Sequence, residues 1–165
     1  MTRLFIGIWP SDDVVEALCG LPRKNRPGIR WLPPENWHVT LRFLGDADAD
    51  EVADHLDRTP IPGAIARYGP GIDVLKEHTI IVPVHGVDEL ALAVAEATRE
   101  LGTERPRRRF SGHLSLARLK RRVRIPDVIG SPLSAEHQVD TIGLIASTLR
   151  PDGARYETIA TWACG

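Results

Sequence analysis

Apolar positions along the chain change their spacing several times, and each change marks an element. Residues 3–9, RLFIGIW, form a β-branched and aromatic run that predicts a strand. Ser11 then stands where a helix cap belongs, and Val14, Val15, Leu18 and Leu21 recur on one helical face. Residues 22–30 read as a loop, and Pro33-Pro34 stops any helix there. Residues 37–44 alternate as a strand does. Residues 46–58 are polar, with Val52 and Leu56 four apart, and read as a short exposed helix. Pro60 and Pro62 mark a break. Residues 72–75 and 78–84 look like two strands around Lys76-Glu77. Residues 87–101 carry Leu90, Val94, Ala97 and Leu101 in helical register, with Gly102 placed to end the helix. Residues 112–119, 139–149 and 156–163 read as strands, the last two joined by a turn at Pro151-Asp152-Gly153. Strands and helices alternate early and a hairpin closes the chain. That order predicts an α+β fold with a mainly antiparallel sheet.

Composition narrows the class. The chain has 165 residues, 42% of them hydrophobic, enough for one domain or two small lobes. Lys+Arg 21 nearly cancels Asp+Glu 22, which excludes a wholly basic histone-like protein and a highly charged disordered chain. Cys19 and Cys164 lie far apart, so no disulfide framework or CxxC zinc pattern can be drawn. The N-terminal apolar run is too short for a signal peptide, and no stretch approaches the ~18 apolar residues that span a bilayer. The expectation is a cytoplasmic monomer with no membrane contact.

The informative feature is an internal repeat. His38-Val39-Thr40-Leu41 and His113-Leu114-Ser115-Leu116 share the order imidazole, apolar, hydroxyl, apolar, and both fall inside predicted strands. Side chains alternate along a strand, so each copy shows an imidazole and a hydroxyl on one face and apolar groups behind. The two polar groups stand ~7 Å apart along the strand, a span that a tetrahedral phosphate can bridge. His with Thr or Ser is a poor metal set, and no carboxylate recurs at matched spacing. Of the other histidines, His55 reads as helical and exposed and His137 as lying in a polar turn. His78 and His85 fall on opposite strand faces by parity.

The neutral total hides an uneven charge pattern. Arg105, Arg107, Arg108, Arg109, Arg118, Lys120, Arg121, Arg122 and Arg124 bracket the second copy with no acid among them. Arg23, Lys24, Arg26 and Arg30 precede the first copy. A basic rim around paired histidines suits a phosphate-containing polymer. No Walker A or GxGxxG sequence is present.

These residues resemble the two-histidine (2H) phosphoesterases, and most of all the bacterial and archaeal RNA 2′,3′-cyclic phosphodiesterases, the LigT-like or 2′-5′ RNA ligase-like proteins. The resemblance runs through RLFIGIW with Pro10, WHVTLRFLGD, FSGHLSLARL and STLRPDGARYE, in the family's order and over nearly the whole chain. Two features depart from the family pattern. Ser111-Gly112 stands where an Arg-Pro or similar pair is usual, and Ser115 replaces the commoner threonine.

The resemblance implies a single bilobal domain over residues 1–165, two pseudo-symmetric lobes with antiparallel sheets facing across a cleft. It implies hydrolysis of RNA 2′,3′-cyclic phosphate ends or cyclic nucleotides to 2′-phosphates, with no metal and no cofactor. His38 is then proton donor, His113 proton acceptor, and Thr40 and Ser115 hold the phosphate oxygens. Arg118 is the candidate phosphate-binding arginine, although strand parity puts it on the face of Leu114 and Leu116 unless a bulge follows Ala117. Arg42 has the parity of His38 and Thr40. Trp37, Phe43 and Tyr156 could stack on a base, with core packing the default for Phe43. Ligation through the same site in reverse and binding without turnover are the competing functions.

Overall fold

Local signals start and turn the elements of this computed structural model, which describes residues 2–120 and 126–165. Chain order is β1 (Thr2–Ile8), α1 (Asp12–Cys19), β2 (Ile29–Trp31), a 3₁₀ turn (Pro34–Asn36), β3 (Val39–Ala47) and α2 (Ala49–Asp57). Then come β4 (Ala64–Tyr68), β5 (Asp73–Leu75), β6 (Thr79–His85), α3 (Asp88–Ala97), β7 (His113–Leu119), β8 (Ala135–Val139), β9 (Thr141–Arg150) and β10 (Gly153–Ala163). The Ser11 hydroxyl accepts from the Val14 amide at the start of α1. The Asp48 carboxylate accepts from the Asp50 and Glu51 amides at the start of α2. Lys76 and Glu77 take positive φ and turn β5 back into β6. Arg150 pairs with Gly153, so Pro151-Asp152 is a two-residue hairpin loop.

The departures from the sequence reading have local causes. β2, β4 and β8 are only three to five residues long, too short to show a period. Pro34 opens a 3₁₀ turn where a plain stop was expected, because its fixed φ suits the first helical position. α2 is not simply exposed: Val52 and Leu56 are fully buried. His137 lies in β8 and not in a turn, with its ring stacked 5.6 Å from Tyr68. α3 ends at Ala97, short of the expected Leu101, where the Thr98 hydroxyl turns back to the Val94 carbonyl.

All strand pairs are antiparallel, in the order β10-β9-β1-β3-β7-β6-β4-β8, with β2 added to β7 and β5 to β6. The path divides into two four-stranded halves whose inner strands, β3 and β7, carry the two motifs. Those strands meet at one residue pair, Val39 with Leu114. The halves repeat one plan: β1, α1 and β3 in the first, β6, α3 and β7 in the second, each outer strand paired with its motif strand. The helices cross over, α1 packing against β8 and α3 against β3.

Both motif strands carry a bulge at the fourth motif position. Ile6 pairs with Arg42 and Gly7 with Thr40, leaving Leu41 extra. Ile80 pairs with Ala117 and Ile81 with Ser115, leaving Leu116 extra. Past each bulge the faces exchange. Leu41 and Arg42 are therefore buried in succession, as are Leu116 and Ala117.

This overturns the expectation that Arg42 binds substrate. Its side chain is 3% exposed and points away from the motif hydroxyl. The guanidinium donates to the Phe43 carbonyl and to the Thr98 and Leu101 carbonyls at 3.2 and 3.0 Å, where α3 ends. A planar five-donor fork reaches several buried carbonyls at once, in β3 and in the turn that follows α3. Arg42→Ala should lower unfolding stability by about 2–4 kcal/mol, the cost of stranding buried acceptors. Arg42→Lys should recover less than half of that loss, because one ammonium cannot reproduce the fork. Urea unfolding of the three proteins measures both.

Candidate active site

The pairing of Val39 with Leu114 decides which side chains meet. Both are fully buried, so their neighbours on each strand project from the opposite face. His38 and Thr40 on one strand and His113 and Ser115 on the other thus share one face across the junction. The structure brings the four motif residues together.

The two imidazoles are anchored alike. His38 Nδ1 lies 2.8 Å from the Asn36 carbonyl, and His113 Nδ1 lies 2.8 Å from the Ser111 carbonyl. A carbonyl only accepts, so both Nδ1 atoms carry hydrogen and each Nε2 is left to do chemistry. His38 Nε2 is 3.0 Å from the Thr40 hydroxyl, which donates to it when the ring is neutral. The Asn36 side chain donates to the Ala154 carbonyl at 3.1 Å and ties this anchor to the β9–β10 hairpin.

The environments differ. His38 is ringed by aromatics, with centroids at 4.6 Å to Phe5, 5.1 Å to Tyr156 and 5.9 Å to Trp9. Burial pushes its pKa below the ordinary histidine value, the Asn36 carbonyl works against that, and the charges of His113 and Arg118 add to the lowering. The hydrogen bond that anchors His113 lies in an exposed setting. Burial likewise raises the Tyr156 phenol, with Arg118 opposing.

The bulge at Leu116 resolves the parity conflict over Arg118. It comes one residue earlier than the position that sequence parity required, and it turns Arg118 onto the histidine face. There the guanidinium donates to the Thr79 hydroxyl at 3.1 Å. Tyr156 stands in the site as expected. Trp37 does not: it is 1% exposed under the Arg23 guanidinium. Phe43, whose default was core, is 36% exposed beneath Arg3, because the Leu41 bulge reverses its face. Phe5 and Trp9 were not singled out from sequence. Their signal is in β1, where Leu4, Ile6 and Ile8 fill the core and the odd positions Phe5, Gly7 and Trp9 take the other face.

His78 and His85 are exposed and His55 is half-buried, and all three lie outside this group. Arg107, Arg108 and Arg109 are exposed on the segment that leads into β7. Arg121, Arg122 and Arg124 lie outside the described residues. Among the described residues, no three His, Cys, Asp or Glu side chains cluster as metal ligands. No described helix is long and apolar enough to cross a membrane.

Residues 8–61, which include the first motif, match the LigT like phosphoesterase family. The RNA 2′,3′-cyclic phosphodiesterase of Thermus thermophilus is 28% identical over 179 residues, spanning 95% of this chain and 87% of that protein. The RNA 2′,3′-cyclic phosphodiesterase of Methanocaldococcus jannaschii is 27% identical over 177 residues, spanning 97% and 99%. A crystal structure of a Thermus thermophilus protein superposes with a TM-score of 0.81 at 26% identity, covering 98% of this chain and 97% of that one. The E. coli LigT complexed with 3′-AMP shares the fold, with a TM-score of 0.74 at 24% identity over 99% and 98% of the two chains.

The aromatic ring around His38 generates a direct test. Tyr156→Ala removes part of the cover, admits water and should raise the His38 pKa toward the ordinary value. Histidine Cε1–H shifts followed through a pH titration by NMR read this out. An unmoved His38 would mean that neighbouring charge, and not burial, sets its proton affinity.

Proposed function

We propose that the chain is a LigT-like phosphoesterase, the family it matches over residues 8–61, and that it opens RNA 2′,3′-cyclic phosphate ends to 2′-phosphates by acid–base catalysis between His38 and His113. The observation that carries this reading is the matched anchoring of the two rings. Each gives its Nδ1–H to the carbonyl two residues before it, so each Nε2 points to one shared face, that of His38 held by the Thr40 hydroxyl at 3.0 Å. Residues 1–165 act as one bilobal unit, since each half brings one histidine. The working form is a cytoplasmic monomer, which holds both histidines in one chain.

Water attacks phosphorus in line with the departing 3′ oxygen. His113 Nε2 takes the proton from that water as the new P–O bond forms. His38 Nε2 gives a proton to the 3′ oxygen as its P–O bond breaks, leaving a 2′-phosphate and a 3′-hydroxyl. Thr40 and Ser115 donate to the non-bridging oxygens, and Arg118 balances their charge. The acid role needs a protonated His38, whereas burial by protein alone favours the neutral ring. Substrate supplies the correction. A phosphate anion beside a poorly solvated imidazole strongly favours the charged form, and Thr40 can release Nε2 and turn to the phosphate. Arg118 and both hydroxyls act on phosphate without a metal, so turnover is independent of one.

The protein should open a cyclic phosphate RNA end at full rate in excess EDTA and leave a 2′-phosphate, identified by phosphorus NMR. His38→Ala and His113→Ala should each cost ~10²–10⁴-fold. Binding without turnover would make the chain a binding module, loss of rate in EDTA would require a metal, and a 3′-phosphate product would reverse the leaving oxygen.

The division of labour has its own measurement. A substrate with a much better leaving group needs little help from an acid. It should restore most of the rate of His38→Ala and leave His113→Ala slow. Rescue of His113→Ala in its place would exchange the two roles.

A further inference from the structure

β2 is a three-residue strand in a loop, and it sets one more arginine against the site. Arg30 pairs with Arg118, flanked by Ile29 with Leu119 and Trp31 with Ala117. Directly paired residues project from the same face of a sheet. Ile29 and Trp31 pack on the hydrophobic core, so Arg30 faces the other way, with Arg118 and the histidines. Its Nη2 lies 2.7 Å from where a Cβ on Gly153 would stand. It therefore sits under the β9–β10 hairpin, next to the Ala154 carbonyl that receives the Asn36 amide.

Arg30 and Arg118 form two cations side by side, ~5 Å apart at the backbone, the spacing of directly paired residues. Like charges at such a position repel, and neither is neutralised by a described carboxylate. The ion pairs among the described residues are Arg26–Asp127, Arg67–Glu136 and Arg155–Asp152, and they include neither arginine. Arg118 is bound to Thr79 and reaches the histidines. Arg30 lies on the neighbouring strand and is exposed. Successive phosphates along an RNA strand are separated by a distance of this order, so a strand with its terminal phosphate at Arg118 brings the preceding one to Arg30.

Resting on the reading of the site as an RNA phosphodiesterase centre, we propose that Arg30 binds the 5′-phosphate of the reacting nucleotide. The RNA then leaves the site over β2, beneath the β9–β10 hairpin. Arg30 is a specificity residue: it distinguishes the end of a polymer from a cyclic mononucleotide.

Two readouts test this, and one does not depend on turnover. In equilibrium titration, the wild-type protein should bind adenosine 2′,5′-bisphosphate about tenfold more tightly than adenosine 2′-monophosphate, the size expected of one charge-assisted phosphate contact. Arg30→Gln should abolish that preference, and Arg30→Lys should restore part of it. In turnover, Arg30→Gln should raise KM about tenfold for a dinucleotide ending in a cyclic phosphate and change kcat little. Its effect on a cyclic mononucleotide without a 5′-phosphate should be several-fold smaller. Equal losses on both substrates would assign Arg30 to the reacting phosphate and overturn the proposal. So would a wild-type protein that does not distinguish the two adenosine ligands. Bisphosphate preference without hydrolysis would retain the Arg30 subsite and reject the phosphodiesterase reading.

Discussion

The structure turns on one point of strand pairing between its two motif strands. β3 and β7 touch through Val39 and Leu114 and then diverge. A wider ladder would merge the halves into one continuous sheet and close the gap between the motif strands. A missing one would leave the histidines on separate bodies. One backbone pair cannot hold two lobes, and the crossed helices supply the rest. α3 leaves the second half and packs on β3, while α1 leaves the first and packs on β8. Arg42 completes the lock from inside the motif strand, where its guanidinium donates to carbonyls just past the end of α3. The same strand thus presents His38 to the site and ties down the helix of the other half.

The bulges at Leu41 and Leu116 are the second constraint. Each comes at the last residue of its tetrapeptide, so the repeat in sequence is also a repeat in backbone shape. Within each tetrapeptide, strict alternation holds and the hydroxyl shares the imidazole's face. Beyond it, alternation is reset. In β7 the reset delivers Arg118 to the site. In β3 it exposes Phe43 and sends Arg42 inside. One device brings an arginine to the histidine face on one strand and packs the two halves together on the other.

That device explains what could be read in advance. The four motif residues were legible because their chemistry repeats and lies before the bulge, where a two-residue period is valid. Arg42 and Phe43 were misplaced because a bulge leaves no mark in the pattern of apolar letters: Leu41 and Leu116 look like ordinary core leucines. Arg118 could be rescued on paper only because parity and chemistry disagreed there. The strand order and the crossing of α1 and α3 depend on contacts distant in sequence, which local periodicity does not carry. β2 was lost inside a basic loop, and with it the register that pairs Arg30 with Arg118. Phe5 and Trp9 were hidden by being apolar on both faces of β1, where alternation separates aromatic from aliphatic and not polar from apolar.

The pseudo-symmetry ends at the rings around the histidines, and that break has a chemical consequence. Both imidazoles are held by the same backbone bond, so geometry alone gives them equal standing. Only His38 is enclosed by Phe5, Trp9 and Tyr156. Two of these come from β1 and the segment leaving it, and the third from β10, elements with no placed aromatic counterpart beside His113 among the described residues. Enclosure removes water that would otherwise stabilise an imidazolium and screen its charge. The same lack of water magnifies the effect of an anion that arrives beside it. For a histidine so placed, burial favours the neutral ring and a neighbouring anion favours the charged one. In the proposed mechanism the proton for the leaving 3′ oxygen is therefore drawn from solvent onto His38 as the phosphate anion binds.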